Sequence, residues 1–133
     1  MAPSRPAGPG DLILFEKWMD TTKWLFQRTE RFPKRLRHSL TDRIDLLSLG
    51  ILEDVTGAAY RKDPRPDLAQ ANDKLNRLRV VLRLAHEMAV LPHDHYREGA
   101  QRLAEAGRLL GGWIRSGQGT RPVTVETEDG ADL

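Results

Sequence analysis

Between Leu36 and Ala58 an apolar side chain returns every third or fourth position: Leu36, Leu40, Ile44, Leu47, Ile51, Val55 and Ala58. That is the period of a helix, not of a strand, and it predicts one continuous amphipathic helix of about six turns. A helix with a single apolar stripe must bury that stripe against partners. The rest of the chain supplies three more segments of the same kind.

The first predicted helix runs from about Leu12 to Arg31, with Asp11 as its N-cap and Leu14, Trp18, Leu25 and Phe32 near helical spacing. Phe32-Pro33 breaks it, because the residue before proline is pushed out of the helical region. The second covers about Arg35 to Arg61 and stops at Lys62-Asp63-Pro64-Arg65-Pro66. The third spans about Pro66 to Val90, with Leu68, Ala71, Leu75, Leu78, Leu82 and Ala85 on one face and Val81 and Met88 joining it. Leu91-Pro92 separates it from the fourth, which extends to about Arg115 through Tyr96, Ala100, Leu103, Gly107, Leu110 and Ile114. No segment alternates with period two. Four such helices joined by short turns predict an all-α, antiparallel up-down-up-down four-helix bundle over residues 11–116.

The ends read differently. Residues 1–10 are rich in Pro and Gly, and residues 117–133 hold Glu126, Glu128, Asp129 and Asp132 against Arg121 alone. With little to bury, both are expected to be disordered, the second as an acidic tail. Setting them aside raises the charge of the central region from the whole chain's +2 to +4, a modestly basic body.

Several chemistries are excluded. There is no cysteine, so disulfides, thiolate catalysis and Cys-based zinc sites have no residues to use. His86-Glu87 begins a two-histidine zinc motif, but position 90 is Val. His93 and His95 stand two apart, which on a helix turns them to different sides, so no metal site is expected. Asp42/Asp45 and Glu53/Asp54 read as solvated salt-bridging groups, and no Gly-x-Ser-x-Gly elbow is present. No enzyme activity and no cofactor are expected. No apolar run approaches the roughly 20 residues of a membrane span, and the first residues lack a signal peptide's apolar core. A cytoplasmic protein without membrane attachment is expected.

Two features remain. Gly107, Gly111 and Gly112 fall within one helix, where each costs about 1 kcal/mol relative to Ala. Close helix packing within or between subunits would offset that, with Trp113 as an apolar anchor. The second feature is basic. Arg28, Arg31, Lys34, Arg35 and Arg37 crowd the first turn, and Lys74, Arg77, Arg79 and Arg83 punctuate the third helix. Such runs serve as solvated faces or as phosphate contacts; 16 arginines against 5 lysines favour bidentate phosphate binding. With few aromatics for stacking, any such binding would be electrostatic and sequence-tolerant.

Phe32-Pro33-Lys34, Leu40-Thr41-Asp42-Arg43-Ile44, Leu78-Arg79-Val80-Val81-Leu82-Arg83 and above all the ending Glu105 to Ile114 resemble a known superfamily. It comprises the four-helix proteins encoded in 23S rRNA intervening sequences and the accessory variability determinant (Avd) of diversity-generating retroelements, and the resemblance is closer to Avd. It covers about residues 11–116. It implies a homopentamer of four-helix subunits that binds a reverse transcriptase and nucleic acid; with the basic surface, RNA and DNA are both expected partners, with the preference between them left open. The implied role is support of adenine-mutagenic copying of template-repeat RNA into cDNA. The Leu-Arg-x-x-Leu-Arg pattern singles out Arg79 and Arg83. The alternative is an interaction protein of the intervening-sequence type with no retroelement role.

Overall fold

The computed structural model describes residues 9–120, with side chains from 12 to 116. It contains four helices, α1 (Pro9–Thr29), α2 (Asp42–Tyr60), α3 (Arg65–Glu87) and α4 (His93–Thr120), and no strand among the described residues. Each helix packs on the next, and α4 closes the ring against α1. The seams fix the direction. Lys17 meets Glu105 while Arg28 meets His95, so α1 and α4 run antiparallel. Lys74 meets Asp54 while Asp67 approaches Gly57, and α2 and α3 do the same. Arg79 meets Leu103 and Leu82 meets Gly99 across α3 and α4. The up-down-up-down bundle stands.

The α2 and α3 stripes form its centre. Ile44, Leu47, Ile51, Val55 and Ala58 are buried with Leu68, Ala71, Leu75, Leu78, Leu82 and Ala85. Trp18 is fully buried, and its indole Nε1 donates to the Ser48 carbonyl at 2.9 Å. The buried Ser48 hydroxyl is itself satisfied by donating to the Ile44 carbonyl at 2.7 Å. A tryptophan in a core needs such a partner for its N–H.

The details depart from the periodicity in four places. α1 begins at Pro9, so Asp11 lies inside the helix and does not cap it. The stretch from Lys34 to Thr41 is a 3-10 turn followed by a π turn, and α2 proper starts at Asp42. Both turns still bury their apolar residue, Leu36 and Leu40, which is why the stripe looked continuous. On α4 the buried edge is Gly99, Leu103, Ala106, Leu110 and Trp113, and Ala100 is exposed. A Cβ on Gly99 would stand 3.4 Å from Leu82 and 3.5 Å from Trp24, so the glycine is the seat for both. Finally, α4 continues to Thr120, four residues into the segment read as tail. The remaining terminal residues, 1–8 and 121–133, lie outside the described residues.

α3 closes with a left-handed residue, Ala89, at φ 61°. The Val90 N–H reaches the Ala85 carbonyl and the Ala89 N–H reaches His86, the paired bonds of a Schellman ending.

Candidate nucleic-acid interface

The ends of α1 and α3 and the starts of α2 and α4 share one end of the bundle, and the first-turn basic residues lie there. Pro33 fixes the path: its extended ψ of 141° turns the chain outward after α1, and the 3-10 turn begins directly behind it. Arg31, Lys34, Arg35 and Arg37 ride on this connection. All four are exposed, and none forms an ion pair among the described residues. The connection is anchored by Leu36 and Leu40 below it and by Thr29, whose hydroxyl donates to Asp45 at 2.8 Å. Burial pushes the Asp45 carboxyl above its ordinary range, against the lowering pull of the Thr29 hydroxyl.

Arg28 has a different position from its neighbours. Its guanidinium lies 5.2 Å from the Trp24 ring centre and Arg102 lies 5.1 Å from the same ring. Arg28 Nη1 donates to His95 Nε2 at 3.2 Å, which requires the neutral tautomer with its proton on Nδ1. Arg102 is held in turn by Glu98 at 2.8 Å. Arg28 is therefore built into the α1/α4 seam, with one edge left toward solvent.

The α3 group is largely engaged. Lys74 reaches across to Asp54 at 2.8 Å, a half-buried link between α2 and α3. Arg77 pairs with Asp73 at 3.0 Å and Arg83 with Glu87 at 2.8 Å, each one turn away on the same helix. The Glu87 carboxylate raises the Arg83 guanidinium further above its ordinary value. Arg79 bends to Asn76 and to the Leu103 carbonyl on α4. So the structure brings the first-turn residues together as a free cationic cluster and distributes the α3 residues among internal partners.

Gly107 makes room for Arg79: a Cβ there would come within 2.7 Å of Arg79 Nη2. Gly111 meets only Arg115 of its own helix, and Trp113 is buried in the core.

Periodicity did not reveal Arg43, Arg97 and Arg102, which stand toward this same end. Arg43 and Arg97 are exposed, and Arg102 is masked in the sequence by Glu98 four residues before it. Trp24-x-x-x-Arg28, an aromatic one turn from an arginine, was the available signal for the seam.

No group of three or more His, Asp or Glu side chains among the described residues could hold a metal ion. Among the described residues no helix is long and apolar enough to cross a membrane. The model of the bAvd-like family matches residues 12–117, the whole bundle. No curated protein matches.

Proposed function

Because the chain belongs to the bAvd-like family, we propose that it is the accessory protein of a diversity-generating retroelement. It binds the element's reverse transcriptase and its template-repeat RNA and supports adenine-mutagenic cDNA synthesis. The polymerase chemistry lies in the reverse transcriptase. The bundle acts in the cytoplasm as a homo-oligomer of five copies.

The observation that carries the nucleic-acid part is the free cluster of Arg31, Lys34, Arg35 and Arg37 at one end of the bundle. Cations already paired to carboxylates must give up those partners to hold phosphate; these need not. A single copy offers a small patch. Five copies in one ring would present it five times on one rim, and linked weak contacts multiply into a strong one. DNA would be held through the same phosphate contacts, with little sequence preference.

The test is co-expression of the tagged chain with the reverse transcriptase and template repeat encoded beside it. Co-elution of both in a nuclease-sensitive, salt-sensitive complex is expected. If neither the polymerase nor the RNA co-elutes, the reading fails.

A further inference from the structure

The outer face of α4 is polar and cationic. Among the described residues this helix carries no large exposed apolar side chain, and its buried edge runs through Leu103, Ala106, Leu110 and Trp113. On the opposite side stand Arg97, Arg108 and Arg115. They are eleven and seven residues apart, close to three turns and two, so they fall on one line along the helix. All three are exposed, and none forms an ion pair among the described residues.

The residues between them keep that line open. Gln101, Ala104, Gly111 and Gly112 bring no charge and little bulk. A Cβ on Gly111 would stand 3.3 Å from Arg115 Nη1, so that guanidinium lies back along α4 toward Arg108. On the α3 flank Arg79, with no carboxylate partner among the described residues, sits over Gly107. The α1 flank holds Glu98 and Glu105, but Arg102 and Lys17 take them up. Asp94 stands one turn before Arg97, at the start of the helix. The result is a cationic ridge about 27 Å long.

The chain itself continues into a matching partner. α4 ends at Thr120, and residues 121–133 carry Glu126, Glu128, Asp129 and Asp132 against Arg121. Measured back along α4 from Thr120, Arg115 is about 8 Å away, Arg108 about 18 Å and Arg97 about 35 Å. An extended chain that spends about three residues on reversing returns Glu126 by about 10 Å, Asp129 by about 20 Å and Asp132 by about 30 Å. The acidic residues come level with the arginines in order, and the long Arg97 side chain spans the last few ångströms. Pro122 favours the reversal, because a helix interior does not accept proline. The Arg31–Arg37 connection lies past the start of α4, beyond that reach.

We infer that residues 121–133 fold back on their own α4 and lay their carboxylates along Arg115, Arg108 and Arg97, shielding this ridge from other polyanions. Single exposed ion pairs are weak. Tethering compensates, because a linker of a few residues holds the tail at an effective concentration in the millimolar range. The contact is electrostatic and exposed, so salt releases it. It leaves the first-turn cluster uncovered, and it stands whether or not the partner is the one proposed above.

The test measures the distance from tail to ridge in the full chain. There is no native cysteine, so spin labels on Ala100→Cys, exposed beside the ridge, and Ala131→Cys, next to Asp132, report this contact alone. Labelled chain is diluted into an excess of unlabelled chain, so that each distance lies within one copy. At low salt the labels should lie within about 20 Å of each other. High salt should move them to a broad distribution centred at about 30 Å or beyond. Two variants should do the same at low salt: Glu126→Gln/Glu128→Gln/Asp129→Asn/Asp132→Asn in the tail, and Arg97→Gln/Arg108→Gln/Arg115→Gln on the ridge. The tail variant should also bind polyuridylate several-fold more tightly than wild type, and the ridge substitutions should cancel that gain. The ridge substitutions are at exposed positions and the tail substitutions lie outside the bundle, so helical circular dichroism should be retained; the tail variant alone decides the matter if the ridge variant unfolds. A long distance in wild type at low salt, a short one that survives the tail substitutions, or equal polyuridylate affinity of wild type and tail variant overturns the inference.

Discussion

Arg79 lies across the backbone of Gly107: its guanidinium occupies the space a Cβ would need and reaches 3.4 Å to the Leu103 carbonyl on α4. The arginine that the sequence pattern singled out for binding thus has a packing role in the α3/α4 seam. Glycine at 107 lowers the helix preference of α4, and the seated guanidinium offsets that. Gly107→Ala should therefore leave stability within about 1 kcal/mol of wild type, the helix gain of alanine opposing the displaced arginine. Gly111→Ala has no such opponent, because only the flexible end of Arg115 is near. It should stabilise by about 1 kcal/mol. Thermal denaturation of the pair separates the two; a larger gain at 107 than at 111 would refute the seated-arginine account.

Lys74 and Asp54 join α2 to α3 with both side chains mostly out of water. Lys74→Ala leaves a half-buried carboxylate without its partner and should cost about 1–3 kcal/mol. Removing Asp54 as well should restore part of that loss, as a coupled pair requires. RNA affinity of the folded Lys74→Ala protein should not change. A strong affinity loss at unchanged stability would return Lys74 to the binding surface.

Asp45 gives a pH signature. Its folded pKa is raised above the ordinary 3.8 by burial. The folded state therefore holds that proton more tightly than the unfolded chain, and ionising it counts against folding at neutral pH. As pH falls through the raised value and below 3.8, that penalty disappears. The stability of wild type relative to Asp45→Asn should move in wild type's favour over that window, read by urea denaturation at a series of pH values. A difference that is constant with pH, or moves the other way, contradicts the burial assigned to this group.

The four-helix plan was legible because Leu, Ile and Val carry their periodicity openly. Two kinds of feature were not. Local backbone geometry at Lys34–Thr41 was hidden because 3-10 and π turns bury Leu36 and Leu40 much as an α-helix would. On α4, Gly99 in place of Ala100 shifted the buried edge, because the side chain that fills the space belongs to Trp24. At the candidate site, charge alone treated nine basic residues alike. Only their partners tell them apart: Asp54, Asp73, Glu87 and the Leu103 carbonyl take up the α3 set, and nothing of the kind meets Arg31, Lys34, Arg35 or Arg37. Such partners are set by the register between helices, which residue spacing within one helix does not contain.

Ala89 ends α3 in a left-handed conformation that its Cβ disfavours. Ala89→Gly should raise stability by about 1 kcal/mol, read as a higher midpoint in urea with unchanged slope. A lower midpoint would mean that this turn is held by the Ala89 side chain and not by the Schellman bonds.

The most direct test is the salt dependence of template-repeat RNA binding. The chain with Arg31, Lys34, Arg35 and Arg37 all changed to Ala is compared with wild type and with Arg79→Ala/Arg83→Ala. Each phosphate contact removed lowers the slope of log affinity against log salt by about 0.7 on a single strand. The first variant should lose a slope of about 3 per subunit that contacts the RNA, with helical content and thermal midpoint close to wild type. The second should lose much less. An unchanged slope in the first variant, or the larger loss in the second, would contradict the placement of the interface at the α1–α2 connection.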